Sequence, residues 1–269
     1  LVEGDQMSLF YTGNVKNLGD YNYVTNGRES NTILAVSKDG EKIESKKLLM
    51  TNADYPDDMT CHVRDPKVFR ENGRYYMLLG GRKKNDAGAA LLYESADKMH
   101  WTLKEEFQTA DTFGYMWECP DLFSLDENKV LSVSPQGLAR EAFKNQNVYQ
   151  SGYFLLKDGK TPSADMFVEW DMGFDFYAPQ TFLDEKGRRI LVGWAGLPDV
   201  EAEYQNPTVA LGWQHVLTTP RELSVRNGRV VQTPVEEVAA LRKKEIPVEC
   251  GKEMEISGGC FDLELTVFS

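Results

Sequence analysis

Three stretches of the chain repeat one order of apolar and polar positions. In each stretch a proline is followed three residues later by phenylalanine, then by a short polar turn and by an apolar run rich in strand-forming residues. The stretches are residues 64–81 (RDPKVFRENGRYYMLLGG), 118–134 (ECPDLFSLDENKVLSVS) and 177–194 (YAPQTFLDEKGRRILVGW). Their prolines, at positions 66, 120 and 179, recur at a period of roughly 55 residues. The pattern therefore predicts a series of repeated β-hairpins.

A repeat of this length favours an all-β fold, a β-propeller with one four-stranded blade per repeat. The alternative is an all-β sandwich built of hairpins. A second register agrees with the first, because Ser37 and Asp39 recur as Ser95 and Asp97. The run at 7–13 (MSLFYTG) matches the second strand of a blade, so its partner strand is expected ahead of residue 1.

In a propeller, the first strand of every blade lines the central axis. We expect each repeated proline at the start of such a strand, where its missing N–H costs least. The side chains just before the prolines are then expected to converge at one end of the axis. This convergence would bring together residues that are far apart in the sequence, as a functional site requires.

The chain changes character after the third repeat. The motif TPVE at 233–236 is a capping box with proline at the first helical position, which predicts a short helix through Leu241. Residues 261–267 (FDLELTV) alternate between apolar and polar, which predicts a half-buried strand. We therefore expect a propeller over residues 1–222, a linker with a short helix over 223–246, and the beginning of a second β domain over 247–269.

Composition narrows the possible partners. The net charge is −12 and no block of Lys or Arg stands apart, which argues against nucleic acid and anionic membranes as partners. No apolar run approaches the roughly 18 residues of a membrane helix. The four cysteines lack C-x-x-C spacing and there are three histidines, so no metal site is predicted. Proline disqualifies the glycosylation match at 206–208, and with the few cysteines this favours a reducing cytoplasm.

Asp65 and Glu118 lie at the entry of adjacent repeats, where two carboxyl groups could meet. A retaining glycoside hydrolase needs two carboxyl groups about 5–5.5 Å apart, and further charged groups that hold the sugar in the transition state. Glu118 lies between Trp117 and Cys119, a low-polarity neighbourhood that suits a proton-donating carboxylic acid. The alternative for Glu118 is an ordinary solvated side chain.

The neighbouring candidates each have two interpretations. Arg64 and Asp65 form either a structural ion pair or a pair in which Asp65 binds sugar hydroxyls and Arg64 orients it or touches the substrate. Tyr177 and Trp194 are either core aromatics or part of a wall against which a sugar ring stacks. His62 is expected to be a hydrogen-bonded structural residue rather than a base.

Several of these segments resemble one known family. The segment HVRDPKVF at 62–69 resembles the Arg-Asp-Pro motif of glycoside hydrolase family 32, and WECPDLF at 117–123 resembles its Glu-Cys motif. FYAPQTF at 176–182 and GWAG at 193–196 are similar to two further blocks, although the alanine often corresponds to methionine. Related five-bladed families share Arg-Asp-Pro, whereas all four blocks in this order form a specific signal. The similarity covers roughly residues 9–241, most of the chain.

The resemblance implies a five-bladed β-propeller, incomplete here because its first blade is missing, followed by a β-sandwich. It implies that Glu118 is the acid/base, that Asp65 is the transition-state stabiliser, and that Arg64 contacts substrate. Tyr177 and Trp194 are expected to bind substrate on the sugar-wall interpretation. The family nucleophile is an Asp in a Trp-x-Asn-Asp-Pro-Asn-Gly block. Nothing in this sequence matches that block, so the nucleophile is expected before residue 1 and the chain alone is expected to be inactive.

The implied activity is the release of terminal β-D-fructofuranosyl residues, with sucrose or sucrose 6-phosphate as the small-molecule partner and without a cofactor. The alternatives are an exo-levanase, an inulinase or a fructosyltransferase of the same family, or a carbohydrate-binding propeller without catalysis. A phosphorylated substrate would need a local cluster of Lys or Arg. The basic triplet Arg82, Lys83 and Lys84 is either that cluster or a solvated hairpin tip.

Overall fold

The computed structural model describes residues 1–156, 162–199, 206–255 and 259–266. Contacts divide the chain into two units, Leu1–Val235 and Glu236–Ser269. Within the described ranges, the first unit is all-β, and its strands form four antiparallel sheets arranged as the blades of a propeller. The expected all-β propeller architecture is therefore confirmed for this part of the chain.

The first two sheets each follow the order of the chain. The first consists of β1 (Val2–Glu3), β2 (Gln6–Lys16), β3 (Arg28–Ser37) and β4 (Ser45–Met50). The second consists of β5 (Met59–Glu71), β6 (Arg74–Lys83), β7 (Gly88–Ser95) and β8 (Thr102–Phe107).

The third sheet has the same plan, and the fourth adds a short extra strand. The third consists of β9 (Met116–Leu125), β10 (Asn128–Gln136), β11 (Gly152–Leu156) and β12 (Phe167–Glu169). The fourth has β13 (Tyr177–Leu183), β14 (Arg189–Ala195), β15 (Val216–Leu217), β16 (Arg221–Arg226) and β17 (Arg229–Pro234), with β15 and β16 both paired to β14. Short 3-10 helices occur at Asn52–Asp54, Ala164–Met166, Pro207–Leu211 and Glu236–Leu241.

The predicted hairpins are present as β5–β6, β9–β10 and β13–β14. The run at 7–13 lies in β2, the second strand of its sheet, as predicted. Its partner was expected ahead of residue 1, and that expectation needs correction. The partner β1 lies within the chain, because the two-residue turn of Gly4 and Asp5 reverses the chain between Glu3 and Gln6. The turn requires a positive φ at its first residue, and Gly4 adopts a φ of 60° without steric cost because it has no Cβ.

The repeated prolines lie inside the first strands of their sheets, not at the strand starts. At each proline the strand carries a bulge, in which two residues lie opposite one residue of the partner strand. The first bulge residue has a positive φ in every case, 63° at Asp65, 45° at Cys119 and 50° at Ala178. Proline fits the second bulge position, which needs no ladder hydrogen bond from its nitrogen.

The second register of the repeat is a matching turn. Ser37 Oγ accepts a hydrogen bond from Gly40 N, and Ser95 Oγ accepts one from Lys98 N, each at 2.9 Å. One carboxylate oxygen of Asp39, and likewise of Asp97, accepts two further backbone hydrogen bonds. The same local chemistry therefore ends the third strand in both blades.

Apolar side chains fill the spaces between neighbouring sheets. A cluster that includes Met77 and Leu91 lies between the first and second sheets, and one around Trp117 and Phe154 lies between the second and third. A further cluster, around Trp170, joins the third and fourth sheets. The second and third sheets are thus covered on both faces, which explains the long apolar runs of their middle strands.

The end of the first unit differs from the predicted domain plan. Residues 223–234 were expected in a linker, but they belong to the β16–β17 hairpin, which completes the fourth sheet. The boundary predicted after residue 222 therefore falls inside a blade. The predicted short helix is a 3-10 helix, Glu236–Leu241.

The predicted strand at 261–267 is not formed over residues 261–266, which are exposed, and Val267 lies outside the described residues. A segment with an alternating apolar and polar pattern forms a strand only beside another strand, which provides hydrogen-bond partners for its backbone N–H and C=O groups. Among the described residues, no helix has the length and apolar composition that crossing a bilayer requires.

Candidate active site

The bulges aim three side chains at one point. Arg64, Glu118 and Tyr177 each stand two residues before a repeated proline, in the first strands of adjacent sheets. Arg64 Nη2 lies 2.5 Å from Glu118 Oε1, and Tyr177 Oη lies 2.5 Å from Glu118 Oε2. The predicted convergence is confirmed for these residues, and Glu118 lies at its centre.

Close contact between the second and third sheets makes this convergence possible. Gly80 pairs with Arg64 across the β5–β6 hairpin. A Cβ at Gly80 would lie 2.1 Å from the carbonyl oxygen of Trp117, the residue before Glu118. Any larger residue there would push the two sheets apart, so glycine is required for the Arg64–Glu118 contact.

The Glu118 carboxylate accepts hydrogen bonds from three side chains. Arg64 donates through Nε at 2.9 Å as well as through Nη2, and the pair forms a salt bridge with side chains that are mostly buried. Gln136 Nε2 donates to Oε2 at 2.9 Å. Burial and the charge of Glu118 raise the pKa of Tyr177, so its phenol stays protonated and donates to the second oxygen.

The low-polarity neighbourhood expected for Glu118 belongs to its sequence neighbours and not to its carboxylate. Trp117 is completely buried in the core between the second and third sheets, where Nε1 donates to Phe113 O at 2.7 Å. Successive side chains of a strand point to opposite faces, so Glu118 points away from that core. The carboxylate is surrounded by polar donors instead.

Asp65 lies beside Glu118 and its hydrogen-bond donors, but it forms no ion pair with the adjacent Arg64. Arg64 forms its ion pair with Glu118 of the next sheet, which disfavours the interpretation of Arg64 and Asp65 as a structural pair. Asp65 Oδ2 accepts a hydrogen bond from Cys119 N at 2.9 Å, and the Cys119 thiol lies 3.6 Å away. Thr12 Oγ1 accepts from Asp65 N at 3.0 Å, which ties the bulge to the first sheet.

Burial governs the protonation of these two groups. It raises the pKa of Asp65, and the nearby Glu118 charge adds to that rise. It also raises the pKa of the Cys119 thiol well above its usual range, so the thiol stays neutral beside the carboxylate. Within the described part of the chain, the hydrogen bonds of the Asp65 carboxylate go to Oδ2, which leaves Oδ1 available to a ligand hydroxyl.

Tyr177 and Trp194 lie directly opposite each other on β13 and β14, so their side chains share one face of the fourth sheet. Tyr177 is 3% exposed and its ring centroid lies 6.0 Å from that of Tyr149. Trp194 is half-buried and packs edge-on against His215, with ring centroids 5.1 Å apart. Trp194 therefore presents an aromatic surface next to the tyrosine that contacts Glu118.

The structure adds a residue that the sequence reasoning missed. Gln136 ends β10, two residues beyond Ser134, which pairs with Glu118. Residues two apart on a strand share a face, so Gln136 is a diagonal neighbour of Glu118. The alternation of side chains along β10 places Gln136 on the same face as Ser134. It points to Glu118 only when the register between β9 and β10 is known.

His62 is held between two arginines, consistent with the expected structural role. Its Nδ1 lies 2.8 Å from Arg64 Nη1, and its Nε2 lies 3.0 Å from Arg28 Nη1. Burial, together with the charges of Arg64 and Arg28, lowers the pKa of His62 to about 4. A neutral imidazole at this position orients Arg64 rather than acting as a general base.

The basic triplet does not form one cluster. Arg82 Nη2 pairs with Asp86 at 2.6 Å, and its guanidinium stacks 4.6 Å from the ring centroid of Tyr115. Lys83 pairs with Asp58, just before β5, and with Glu106 of β8. Lys84 Nζ donates to Asp57 O at 2.6 Å. The three charges are separately neutralised or turned apart, which disfavours the triplet as a phosphate site.

No group of three or more His, Cys, Asp or Glu side chains among the described residues is arranged to hold a metal ion. The inner strands of the second, third and fourth sheets thus meet around Asp65, Glu118, Arg64 and Tyr177. This geometry defines the protein as a β-propeller with a carboxylate-centred site where the inner strands of three of its sheets meet.

The family follows from comparison with known proteins. The model for the "Glycosyl hydrolases family 32 N-terminal domain" matches residues 1–234, so the chain belongs to glycoside hydrolase family 32. It is 41% identical to the sucrose-6-phosphate hydrolase of Bacillus subtilis over 98% of the chain and 54% of that protein. It is 40% identical to the sucrose-6-phosphate hydrolase of Staphylococcus xylosus over 90% of the chain and 47% of that protein.

Solved structures agree with this assignment. The Bombyx mori GH32 beta-fructofuranosidase, solved as a mutant in complex with sucrose, is 32% identical with a TM-score of 0.75, over 90% of this chain and 51% of that one. The sucrose-6-phosphate hydrolase of Lactobacillus gasseri is 30% identical with a TM-score of 0.76, over 90% of this chain and 49% of that one. The chain thus spans about half the length of the relatives it matches.

Proposed function

We propose that this chain is the greater part of the catalytic propeller of a retaining glycoside hydrolase. The enzyme removes a terminal β-D-fructofuranosyl residue, with sucrose or sucrose 6-phosphate as substrate. The observation that carries the proposal is Glu118, held by Arg64 and Tyr177 next to the half-buried Asp65. Relatives named sucrose-6-phosphate hydrolase, more than a third identical, support the same substrate class.

In this mechanism Glu118 is the acid/base. It protonates the glycosidic oxygen as the leaving sugar departs, and it later activates the water that releases fructose. The bonds from Arg64, Gln136 and Tyr177 fix the carboxylate, so that one oxygen position is available in a constant direction. Arg64 has the second role of contacting substrate.

Asp65 is the transition-state stabiliser in this proposal. Its free oxygen binds fructose hydroxyls, which gain positive character as charge spreads over the ring. The bond from Cys119 N holds the other oxygen in place. Tyr177 and Trp194 line the sugar, with the half-buried face of Trp194 as the stacking surface.

The nucleophilic aspartate, a fifth blade and a C-terminal β-sandwich are proposed to lie in parts of the protein beyond these 269 residues. The chain covers 54% of the Bacillus subtilis relative, which leaves room for them. We also propose a cytoplasmic enzyme whose partner is a small-molecule sugar. The free thiols of Cys61 and Cys119 support a reducing environment.

Replacement of Glu118 tests the proposal. In the full-length protein, Glu118→Gln should lower kcat/KM for sucrose about 100- to 10,000-fold, because the leaving sugar alkoxide depends on a proton donor. A fructoside with a nitrophenolate leaving group needs less protonation and should lose much less in its glycosylation step. Glu105→Gln, on the exposed face of β8, is the matched control. Near-native sucrose turnover by Glu118→Gln would contradict the assigned role.

A further inference from the structure

Arg28, at the start of β3, carries more hydrogen-bond donors than its surroundings accept. Its Nη1 contacts His62, whereas its Nε is buried without a partner. Within the described part of the chain Arg28 forms no ion pair, and burial together with the charge of Arg64 lowers its pKa. A guanidinium in such a position is usually matched by an anion, because an unpaired buried donor is destabilising.

His62 increases this surplus of donors. Its two ring nitrogens each face an arginine, Arg64 at 2.8 Å and Arg28 at 3.0 Å. Arginine only donates, and a neutral imidazole has a single acceptor nitrogen, so one of the two contacts brings donor to donor. Glu118 neutralises Arg64, which leaves the positive charge at Arg28 unmatched. The cluster therefore lacks one acceptor and one negative charge.

The position of the cluster relates it to the substrate. Glu118 contacts Arg64, Arg64 contacts His62, and His62 contacts Arg28, so Arg28 lies three contacts from the carboxyl group. If Glu118 protonates the glycosidic oxygen, the leaving sugar lies beside this group of residues. A phosphate on the substrate would bring about −1.5 to −2 charges and several strong acceptor oxygens. A guanidinium is well suited to bind it with two parallel hydrogen bonds.

We propose that Arg28, with His62, binds the phosphate group of sucrose 6-phosphate and makes the phosphorylated sugar the preferred substrate. The inference rests on the proposed fructosidase function and names the substrate within it. It also assigns the phosphate-binding charge to Arg28 instead of Arg82, because Asp86 neutralises Arg82.

The test compares two substrates in the full-length protein. Arg28→Gln should lower the ratio of kcat/KM for sucrose 6-phosphate to kcat/KM for sucrose by roughly 10- to 100-fold, the effect of losing a charged hydrogen-bond donor. Arg28→Lys should restore part of that ratio. Arg74→Gln removes the same charge from an exposed position on β6 and should leave the ratio unchanged, which controls for the net charge of the protein.

An unchanged ratio in Arg28→Gln would overturn the proposal, whether both activities fall together or neither falls. A parallel fall would mean that Arg28 acts only by holding His62 and Arg64. If the wild-type protein hydrolyses neither sugar, the proposed function fails, and calorimetric titration still decides the phosphate site. The wild type should then bind sucrose 6-phosphate more tightly than sucrose, and Arg28→Gln should lose that difference. Equal affinity for the two sugars in the wild type would overturn the proposal.

Discussion

Asp65 has a φ of 63°, a conformation that Asp and Asn adopt more readily than most other side chains. Asp65→Asn therefore keeps the bulge and removes the charge. Under the proposed role, kcat on sucrose should fall about 100- to 1000-fold, as when a transition-state contact is removed. The melting temperature at pH 7 should stay constant or rise. Burial raises the pKa of Asp65, so its charged form destabilises the folded state above that pKa, and an amide removes that cost.

The turnover number and the melting temperature together distinguish the proposed catalytic role of Asp65 from a structural role. Kinetics and thermal unfolding should be recorded in parallel for Asp65→Asn and for Asp5→Asn, whose side chain is exposed. The control should change neither property. A variant that loses stability in proportion to its rate would indicate that Asp65 supports the fold and does not act on the transition state.

At the scale of the strands, Asp121 joins three sheets through one buried carboxylate. It is 2% exposed on β9, and Oδ2 accepts bonds from Thr181 N at 3.1 Å and Thr181 Oγ1 at 2.7 Å. Lys67 of β5 lies 3.4 Å from the same oxygen and donates to Thr181 O at 2.6 Å. The inner strands of the second, third and fourth sheets are thereby linked just beyond their bulges.

Asp121→Asn should destabilise the protein by about 3 kcal/mol, because it leaves Lys67 without its counter-charge in a mostly buried position. Chemical denaturation of the full-length variant measures this loss, and the exposed Asp111→Asn provides the control. A loss below about 1 kcal/mol, the range of surface ion pairs, would show that the link is solvated and weak.

The sequence predicted those features of the strands that depend on local residues. Prolines, turn residues and apolar runs located the hairpins, because each acts on its own segment of backbone. The bulges were not predicted, since Asp65, Cys119 and Ala178 are not residues that mark a positive φ as glycine does. Gln136 and Arg28 were missed for a different reason. Their contacts with Glu118 and His62 depend on strand register and on the packing of separate sheets.

At the scale of the whole molecule, the proposed mechanism needs a nucleophilic aspartate. The family motif that carries this aspartate has no match in the present sequence. The 269-residue chain alone should therefore release no glucose from sucrose, because covalent catalysis requires the attacking aspartate. The full-length protein, prepared and assayed alongside, is the positive control. Turnover by the chain alone, abolished by replacing one of its own aspartates, would place the nucleophile within these residues.

The repeated bulge has a consequence for how this sequence can vary. Removing one of the two bulge residues would leave Arg64, Glu118 or Tyr177 opposite the same partner residue, but it would remove the positive φ and the local bend of the strand that aim this side chain into the site. A substitution at Ala178, by contrast, changes local strain but leaves that orientation in place. Descendants of this gene can therefore exchange a residue such as Ala178, which the proposed mechanism does not use, but an in-frame deletion or insertion of a single codon at a bulge would be lost to selection.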